Sequence, residues 1–132
     1  MGLKLKLKPG EIAFIAGALI RNAGNGTVLE LMNEVPMLRG KDILLAQDAK
    51  SPCQKLYLIA QSMYFDSDDR LELIISFEAM VKEIIRAAPS IEEKLKSAVE
   101  HVGEERFYAA LKDLQSLIAY ESELIAYAKE SK

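Results

Sequence analysis

The sequence has no tryptophan and only one cysteine and one histidine among its 132 residues. The single thiol, Cys53, excludes an internal disulfide bond, and with His101 as the sole imidazole the usual zinc sites cannot be assembled. No apolar run reaches the roughly 18 residues that a membrane span requires, and no secretory leader pattern opens the chain. We therefore expect a cytoplasmic protein in a reducing compartment, with no cofactor and no contact with a membrane.

Motifs of common enzyme active sites are also missing. The sequence contains no Gly-x-Ser-x-Gly, no phosphate-binding Gly-x-x-x-x-Gly-Lys and no dinucleotide-binding glycine fingerprint. Asp66, Asp68 and Asp69 resemble the start of a calcium loop, but Leu71 and Phe77 stand where that loop needs glycine and glutamate. We expect these carboxylates to stabilise the positive end of a following helix, and we do not expect an enzyme.

Charge divides the chain into two parts. Residues 1–50 carry seven basic and five acidic side chains, whereas residues 51–132 carry ten basic and fifteen acidic ones. Half of all residues are hydrophobic, which is enough for a folded core. The asymmetry indicates two modules with different surfaces.

Short strand patterns fill the first part. Pro9-Gly10 and Ala16-Gly17 are turn signals, and Gly24-Asn25-Gly26 is the strongest hairpin signal because glycine and asparagine tolerate positive φ. Extended segments lie between these turns, and Met37–Leu45 follows Pro36. The pattern predicts an antiparallel meander of about four or five strands over residues 1–50.

Helical periodicity begins at Ser51. A helix is expected from Pro52 to near Asp66, a second up to Pro89, a third from about Ile91 and a fourth from Phe107. Ser90 with Glu93 forms a capping-box pattern for the third helix, and Gly103 is expected to end it. The sequence therefore predicts an α+β protein: a small N-terminal antiparallel β module followed by a bundle of about four helices over residues 51–132.

The first strand alternates leucine and lysine. Alternate side chains of a strand point to opposite faces, so Leu3, Leu5 and Leu7 are expected in the core. The lysines then line the other face at about 6 to 7 Å spacing, which suits the phosphates of single-stranded RNA. The candidate RNA-binding residues are Lys4, Lys6, Lys8, Arg21, Arg39 and Lys41. A different interpretation is that lysines on an edge strand prevent strand-to-strand aggregation.

Five segments stand out by their order along the chain: Gly2–Glu11, Lys41–Leu44, Tyr57–Met63, Phe107–Lys112 and Leu117–Glu121. Together they resemble the FlbT family of alphaproteobacterial flagellar regulators. The resemblance implies a post-transcriptional regulator of flagellin synthesis that acts on the 5′ untranslated region of flagellin mRNA. It further implies repression in some bacteria, activation in others, and a small partner protein called FlaF.

The β part also resembles the small RNA-binding regulators of the CsrA type. The similarity rests on Gly10-Glu11, Pro36 and Arg39-Gly40-Lys41-Asp42-Ile43, and it places Arg39 at the position of an RNA-contacting arginine. Gly40 departs from that pattern, which usually has an acidic residue there. The CsrA-type proteins form strand-exchanged dimers, so this resemblance implies a homodimer.

Two hypotheses follow for the function. In the first, the β module binds the flagellin mRNA leader and the helical module binds a FlaF-type protein or flagellin. In the second, the chain is a flagellin-binding export chaperone or adaptor that never contacts RNA. An amphipathic helix would then lie in a groove between the helices. The candidate residues for that protein-binding groove are Phe107, Tyr108, Tyr120 and Tyr127.

Overall fold

A computed structural model of the chain describes residues 2–66 and 68–130. The chain forms two compact units, Met1–Ile43 and Leu44–Lys132. In its described residues the first unit contains five antiparallel strands and the second contains four α-helices, which confirms the predicted α+β class. The boundary lies a few residues before Ser51, because the segment that begins at Leu44 is bound to the first helix.

Two small sheets make up the β unit. β1 pairs with β4, and β2 pairs with both β3 and β5, all antiparallel. Because β2 is the centre of its sheet, only this strand has hydrogen-bonded neighbours on both sides within the described residues. The strands are β1 (Leu3–Leu7), β2 (Ile12–Ile15), β3 (Ala18–Arg21), β4 (Thr27–Leu31) and β5 (Met37–Arg39).

The predicted meander is wrong at Gly24-Asn25-Gly26. β3 and β4, on either side of this turn, lie in different sheets. The turn predicted at Ala16-Gly17 is confirmed: it joins β2 and β3 in a tight hairpin, with φ of +50° and +94°. Asn22 explains the difference: its side-chain amide donates to the carbonyl oxygens of Leu7 (2.9 Å) and Asn25 (2.7 Å). The loop is thereby fixed to the end of β1, and the chain passes from one sheet to the other.

The leucine alternation of β1 predicts burial correctly for two of its three positions. Leu5 and Leu7 are each 2% exposed, whereas Leu3 is 56% exposed. Leu3 begins the strand and pairs with Leu31 at the end of β4, so few residues surround it. Leu5 and Leu7, together with Ala13 and Leu38, are the buried hydrophobic residues of this unit.

A carboxylate network connects the two sheets. Glu11 accepts hydrogen bonds from the backbone N–H of Lys8 (2.9 Å) and from Nη2 of Arg39 (3.2 Å). The same arginine donates to the backbone carbonyl of Lys6. The Lys8 N–H, and after it the Arg39 guanidinium, lower the pKa of Glu11, because they stabilise its ionised form. Glu11 thus joins β1, the turn that follows it, and β5.

Four helices make up the second unit. α4 packs against α1 and α3, and α1 also packs against α2. Each helix contributes an apolar stripe to one shared core, as the periodicity predicts. The helices are α1 (Pro52–Phe65), α2 (Arg70–Ala87), α3 (Glu92–Gly103) and α4 (Phe107–Glu130).

A buried carboxylate fixes the start of α1. Ser51 caps this helix and forms a capping box with Gln54, as the Ser51-Pro52 pattern favours. Glu121 of α4, 9% exposed, accepts hydrogen bonds from the Ser51 hydroxyl and from the backbone N–H of Cys53 (3.0 Å). Burial, and then the Glu121 charge, raise the pKa of the Cys53 thiol to about 12. That cysteine is therefore a core residue with no thiolate chemistry at neutral pH.

Gln61 holds the entry segment of the helical unit. Its side-chain amide accepts from the N–H of Leu44 (3.0 Å) and donates to the carbonyl of the same residue (2.9 Å). This paired geometry satisfies both polar groups of a buried amide. It also explains why Leu44 belongs with the helices rather than with the strands.

The predicted ends of α3 need correction. Ile91 rather than Ser90 is the N-cap residue, no side chain caps the helix, and a 3₁₀ turn over Pro89–Ile91 leads into it. At the other end Gly103 is the last helical residue, and the left-handed position falls on Glu105, with φ +59°. The Glu105 N–H bonds to the Val102 carbonyl (3.0 Å), so the turn closes without a glycine.

The Glu11 network predicts a pH-dependent stability. A carboxylate with a lowered folded-state pKa stabilises the fold fully above its ordinary pKa, and this contribution is lost as the pH falls through the lowered value. Glu11→Gln should therefore destabilise the β unit more at pH 7 than at about pH 3, which lies below the ordinary glutamate pKa. Urea unfolding followed by NMR amide signals of β1 and β2 measures the difference. Glu34→Gln, which removes an exposed charge outside the network and outside the β1–β4 pairing, is the control; an equal loss at both pH values would contradict the assignment.

The end of α3 predicts two stabilising substitutions. Gly103→Ala replaces a helical glycine whose added methyl group meets open space, so it should stabilise the protein by about 0.5–1 kcal/mol. Glu105→Gly removes the cost of a left-handed non-glycine residue, about 1 kcal/mol. Thermal unfolding followed by circular dichroism tests both. Glu104→Gly is the matched control, because the φ of Glu104 is −92°; a Glu105→Gly protein no more stable than this control would refute the explanation.

Candidate nucleic-acid interface

The lysines of β1 lie on one exposed face. Lys4 and Lys6 point away from the side on which Leu5 and Leu7 are buried, and Lys8 is exposed just beyond the strand. In the part of the chain that the structure describes, their ammonium groups form no ion pair. The structure therefore presents this row of charges to solvent, with the spacing of an extended strand.

The partner strand adds an acidic residue that the sequence analysis did not consider. In the β1–β4 pairing Lys4 stands opposite Glu30 and Lys6 stands opposite Val28, so these four side chains share a face. The Glu30 carboxylate reduces the positive potential at one end of the row. No local pattern could have shown this, because the pairing joins residues 26 positions apart.

Arg39 is part of the framework of the β unit. Its guanidinium is bound to Glu11 and to the Lys6 carbonyl, and 36% of the side chain remains exposed. These contacts place it beside the middle of β1, close to the lysine row. An arginine with two internal partners contributes to the shape of this surface, and only its exposed fraction can meet a ligand.

The two remaining basic candidates lie elsewhere on the β unit. On β2, Ile12 pairs with Arg21 and Ala13 pairs with Arg39. Since consecutive strand residues point to opposite faces, the two arginines lie on opposite faces of this sheet. Lys41 is exposed in a 3₁₀ turn over Gly40–Asp42. The structure thus places Lys4 and Lys6 on one face and Arg39 against the Lys6 backbone, and it separates Arg21 from Arg39.

The aromatic candidates of α4 do not line one groove. Phe107 is 6% exposed and lies under the guanidinium of Arg70, at 4.6 Å from the ring centroid. Tyr120 is half-buried beside α3, with the Lys94 ammonium 4.6 Å from its ring centroid. Tyr108 and Tyr127 are 45% and 71% exposed. Nineteen positions separate these two exposed tyrosines, so they lie near opposite ends of α4.

The acidic cluster before α2 has a structural role. Oδ1 of Asp66 accepts the backbone N–H groups of Asp68 (2.9 Å) and Asp69 (3.3 Å), which turns the chain toward the helix. Within residues 2–66 and 68–130 no three acidic, histidine or cysteine side chains come together as metal ligands. Among the described helices, none is both long enough and apolar enough to cross a membrane.

Known proteins resemble this chain over nearly its whole length. A family model described as "Flagellar protein FlbT" matches residues 3–125. A probable flagellum biosynthesis repressor protein FlbT of Rhodopseudomonas palustris (strain TIE-1) is 35% identical over 128 residues, 96% of this chain and 99% of the relative. The flagellum biosynthesis repressor protein FlbT of Caulobacter vibrioides is 30% identical over 129 residues, 96% of this chain and 92% of the relative. No solved structure matches the chain.

The match covers both units. Residues 3–125 include all five strands, the first three helices and most of α4. The lysine row, the Glu11 network and the buried Glu121 therefore all lie within the part of the chain that is shared with the relatives. By this near full-length similarity, the chain belongs to the FlbT family of flagellar proteins.

Proposed function

We propose that this protein is a noncatalytic, post-transcriptional regulator of flagellum biogenesis that binds the 5′ untranslated region of flagellin mRNA. Relatives over nearly the whole chain are named flagellum biosynthesis repressors, which supports a role in regulating flagellum synthesis. The leader RNA as the target follows from the family resemblance of the sequence. The β unit supplies the contact surface and the helical unit supplies a surface for a protein.

The observation that carries RNA binding is the exposed lysine row on an anchored strand. The buried Leu5 and Leu7 side chains hold one face of β1 in the core. The Glu11–Arg39 network holds the end of the strand through hydrogen bonds to the Lys6 carbonyl and the Lys8 N–H. The lysines of β1 are therefore presented at a regular spacing with little backbone freedom to lose on binding. Phosphate contacts of this kind give affinity without sequence readout, and they release counterions from the RNA.

A second candidate function is that of a flagellin-binding export chaperone or adaptor. It is favoured by apolar side chains on the outer face of α2, where Leu71 is 72% and Ile75 is 61% exposed. These residues are one helical turn apart, as required for contact with an amphipathic helix. The family resemblance suggests a FlaF-type protein or flagellin as the partner. The CsrA-type resemblance of the β part separately suggests a homodimer.

Salt dependence tests the lysine row directly. The affinity for a flagellin leader RNA should fall with salt, with a slope of about −0.7 per phosphate contact. Replacing Lys4, Lys6 and Lys8 together by glutamine should flatten that slope by about 2. The control replaces three exposed lysines of the helical unit, Lys55, Lys82 and Lys129, and should leave the slope unchanged. A wild-type protein that binds flagellin but no RNA would favour the chaperone function.

Glu30 provides the opposite test. Glu30→Gln removes the negative charge across from Lys4, so RNA binding should become tighter by about 0.2–1 kcal/mol at low salt. The gain should disappear at high salt, because exposed charges are then screened. Glu34→Gln, an equal charge change outside the β1–β4 pairing, is the matched control. A Glu30→Gln protein with unchanged affinity at low salt would place the RNA away from β1.

A further inference from the structure

The helical unit contains an open pocket around Phe107 and Tyr108, two of the predicted protein-binding residues. It has a volume of about 530 Å³ and lies where the end of α1, the start of α2 and the start of α4 meet. This volume is within the range of about 300–1,000 Å³ that is usual for small-ligand sites. The lining residues are Tyr64, Arg70, Glu105, Arg106, Phe107, Tyr108 and Ala109.

Aromatic rings form one part of the pocket. The rings of Tyr64 and Tyr108 lie 6.0 Å apart between centroids, tilted by 45°, and Tyr108 is 45% exposed. The Lys112 ammonium lies 5.3 Å from the Tyr108 ring centroid, on the next turn of α4. Because this ammonium lies over the ring, it covers one face of Tyr108, and a flat ring that stacks on that face would displace the flexible lysine side chain.

Two guanidinium groups form the other part. Arg70 is fixed by hydrogen bonds from Nε (3.2 Å) and Nη2 (2.8 Å) to the Met63 carbonyl, and it covers Phe107. Arg106 is exposed, and its side chain has no ion pair or hydrogen bond within the described residues. Packing thus accounts for Arg70 and Phe107, but the fold makes no evident use of the Arg106 guanidinium.

We propose that this pocket binds one nucleotide of a single-stranded RNA, with the base stacked on Tyr108 and a phosphate held by Arg106. Each RNA unit carries a flat ring and an anion side by side, which matches the two parts of the pocket. The β unit offers less for stacking, since its sole aromatic residue, Phe14, is half-buried in the central strand of its sheet. The inference rests on the proposed RNA-binding function and adds to it a second, aromatic contact.

A peptide with neighbouring aromatic and acidic side chains has chemistry similar to that of a nucleotide, so the experiment must distinguish RNA binding from peptide binding. Titrations use the full chain and the flagellin leader RNA at several salt concentrations, with Tyr108→Ala, Tyr108→Phe and Arg106→Gln. Tyr127→Ala and Arg86→Gln are the matched controls, because both are exposed and lie outside the pocket.

Stacking and charge should give different signatures. Tyr108→Ala should raise the Kd about 5- to 150-fold with the salt slope unchanged, and Tyr108→Phe should keep the wild-type affinity because the ring remains. Arg106→Gln should flatten the salt slope by about 0.7. Both control variants should bind as the wild type does.

Two outcomes overturn the inference, and they are distinguishable. If the triple lysine variant loses affinity while Tyr108→Ala and Arg106→Gln bind normally, RNA contacts the β unit alone and the pocket serves another ligand, such as a peptide. If the wild-type protein does not bind the leader RNA at all, the proposed function fails together with this inference.

Discussion

The Glu11 carboxylate connects parts of the β unit that its ladder hydrogen bonds leave separate. Within the described residues β1 pairs only with β4 and β5 pairs only with β2, so no backbone ladder there joins the lysine strand to the central sheet. Glu11 binds the Lys8 N–H and the Arg39 guanidinium, and Arg39 binds the Lys6 carbonyl. A unit of about 40 residues has little core of its own. This charged network therefore adds to the burial of Leu5 and Leu7 the contacts that hold β1 beside β5.

Glu121 has the equivalent place in the helical unit. Its side chain extends from α4 to the first turn of α1, and the carboxylate lies at the positive end of that helix dipole. There it accepts hydrogen bonds from the Ser51 hydroxyl and the Cys53 backbone N–H. A buried carboxylate is tolerated only with such partners. In each unit, one glutamate joins elements that are distant in sequence, and neither interaction could be read from local patterns.

Elements with a local cause were predictable from the sequence. The apolar stripes predicted four helices, and the Ser51-Pro52 pattern predicted the start of α1, because helix signals act within a few residues. Strand pairing was not predictable: Gly24-Asn25-Gly26 has ideal hairpin composition, yet Asn22 binds the end of β1 and sends the chain to another sheet. The left-handed Glu105 was missed because glycine two residues earlier gave the stronger signal.

The same limit applies to the candidate site. Alternation along β1 correctly predicted that Lys4 and Lys6 face solvent, since that property needs only the period of one strand. Whether Arg21 and Arg39 join them depends on the register of β2 with two other strands, which places the two arginines on opposite faces. The aromatic residues of α4 likewise lie in different surroundings, because they occupy different faces and different turns of a 24-residue helix.

An acidic protein can still bind RNA if its basic groups act locally. The chain has a formal net charge of −3, which gives no long-range attraction for a polyanion. At physiological salt, however, exposed charges farther apart than about 8 Å are largely screened. A phosphate placed against β1 would therefore sense mainly the charges within that distance, and Lys4, Lys6 and Glu30 share that face. The contribution of the β unit to RNA affinity would then depend on these few groups, and for this reason the one carboxylate opposite Lys4 matters.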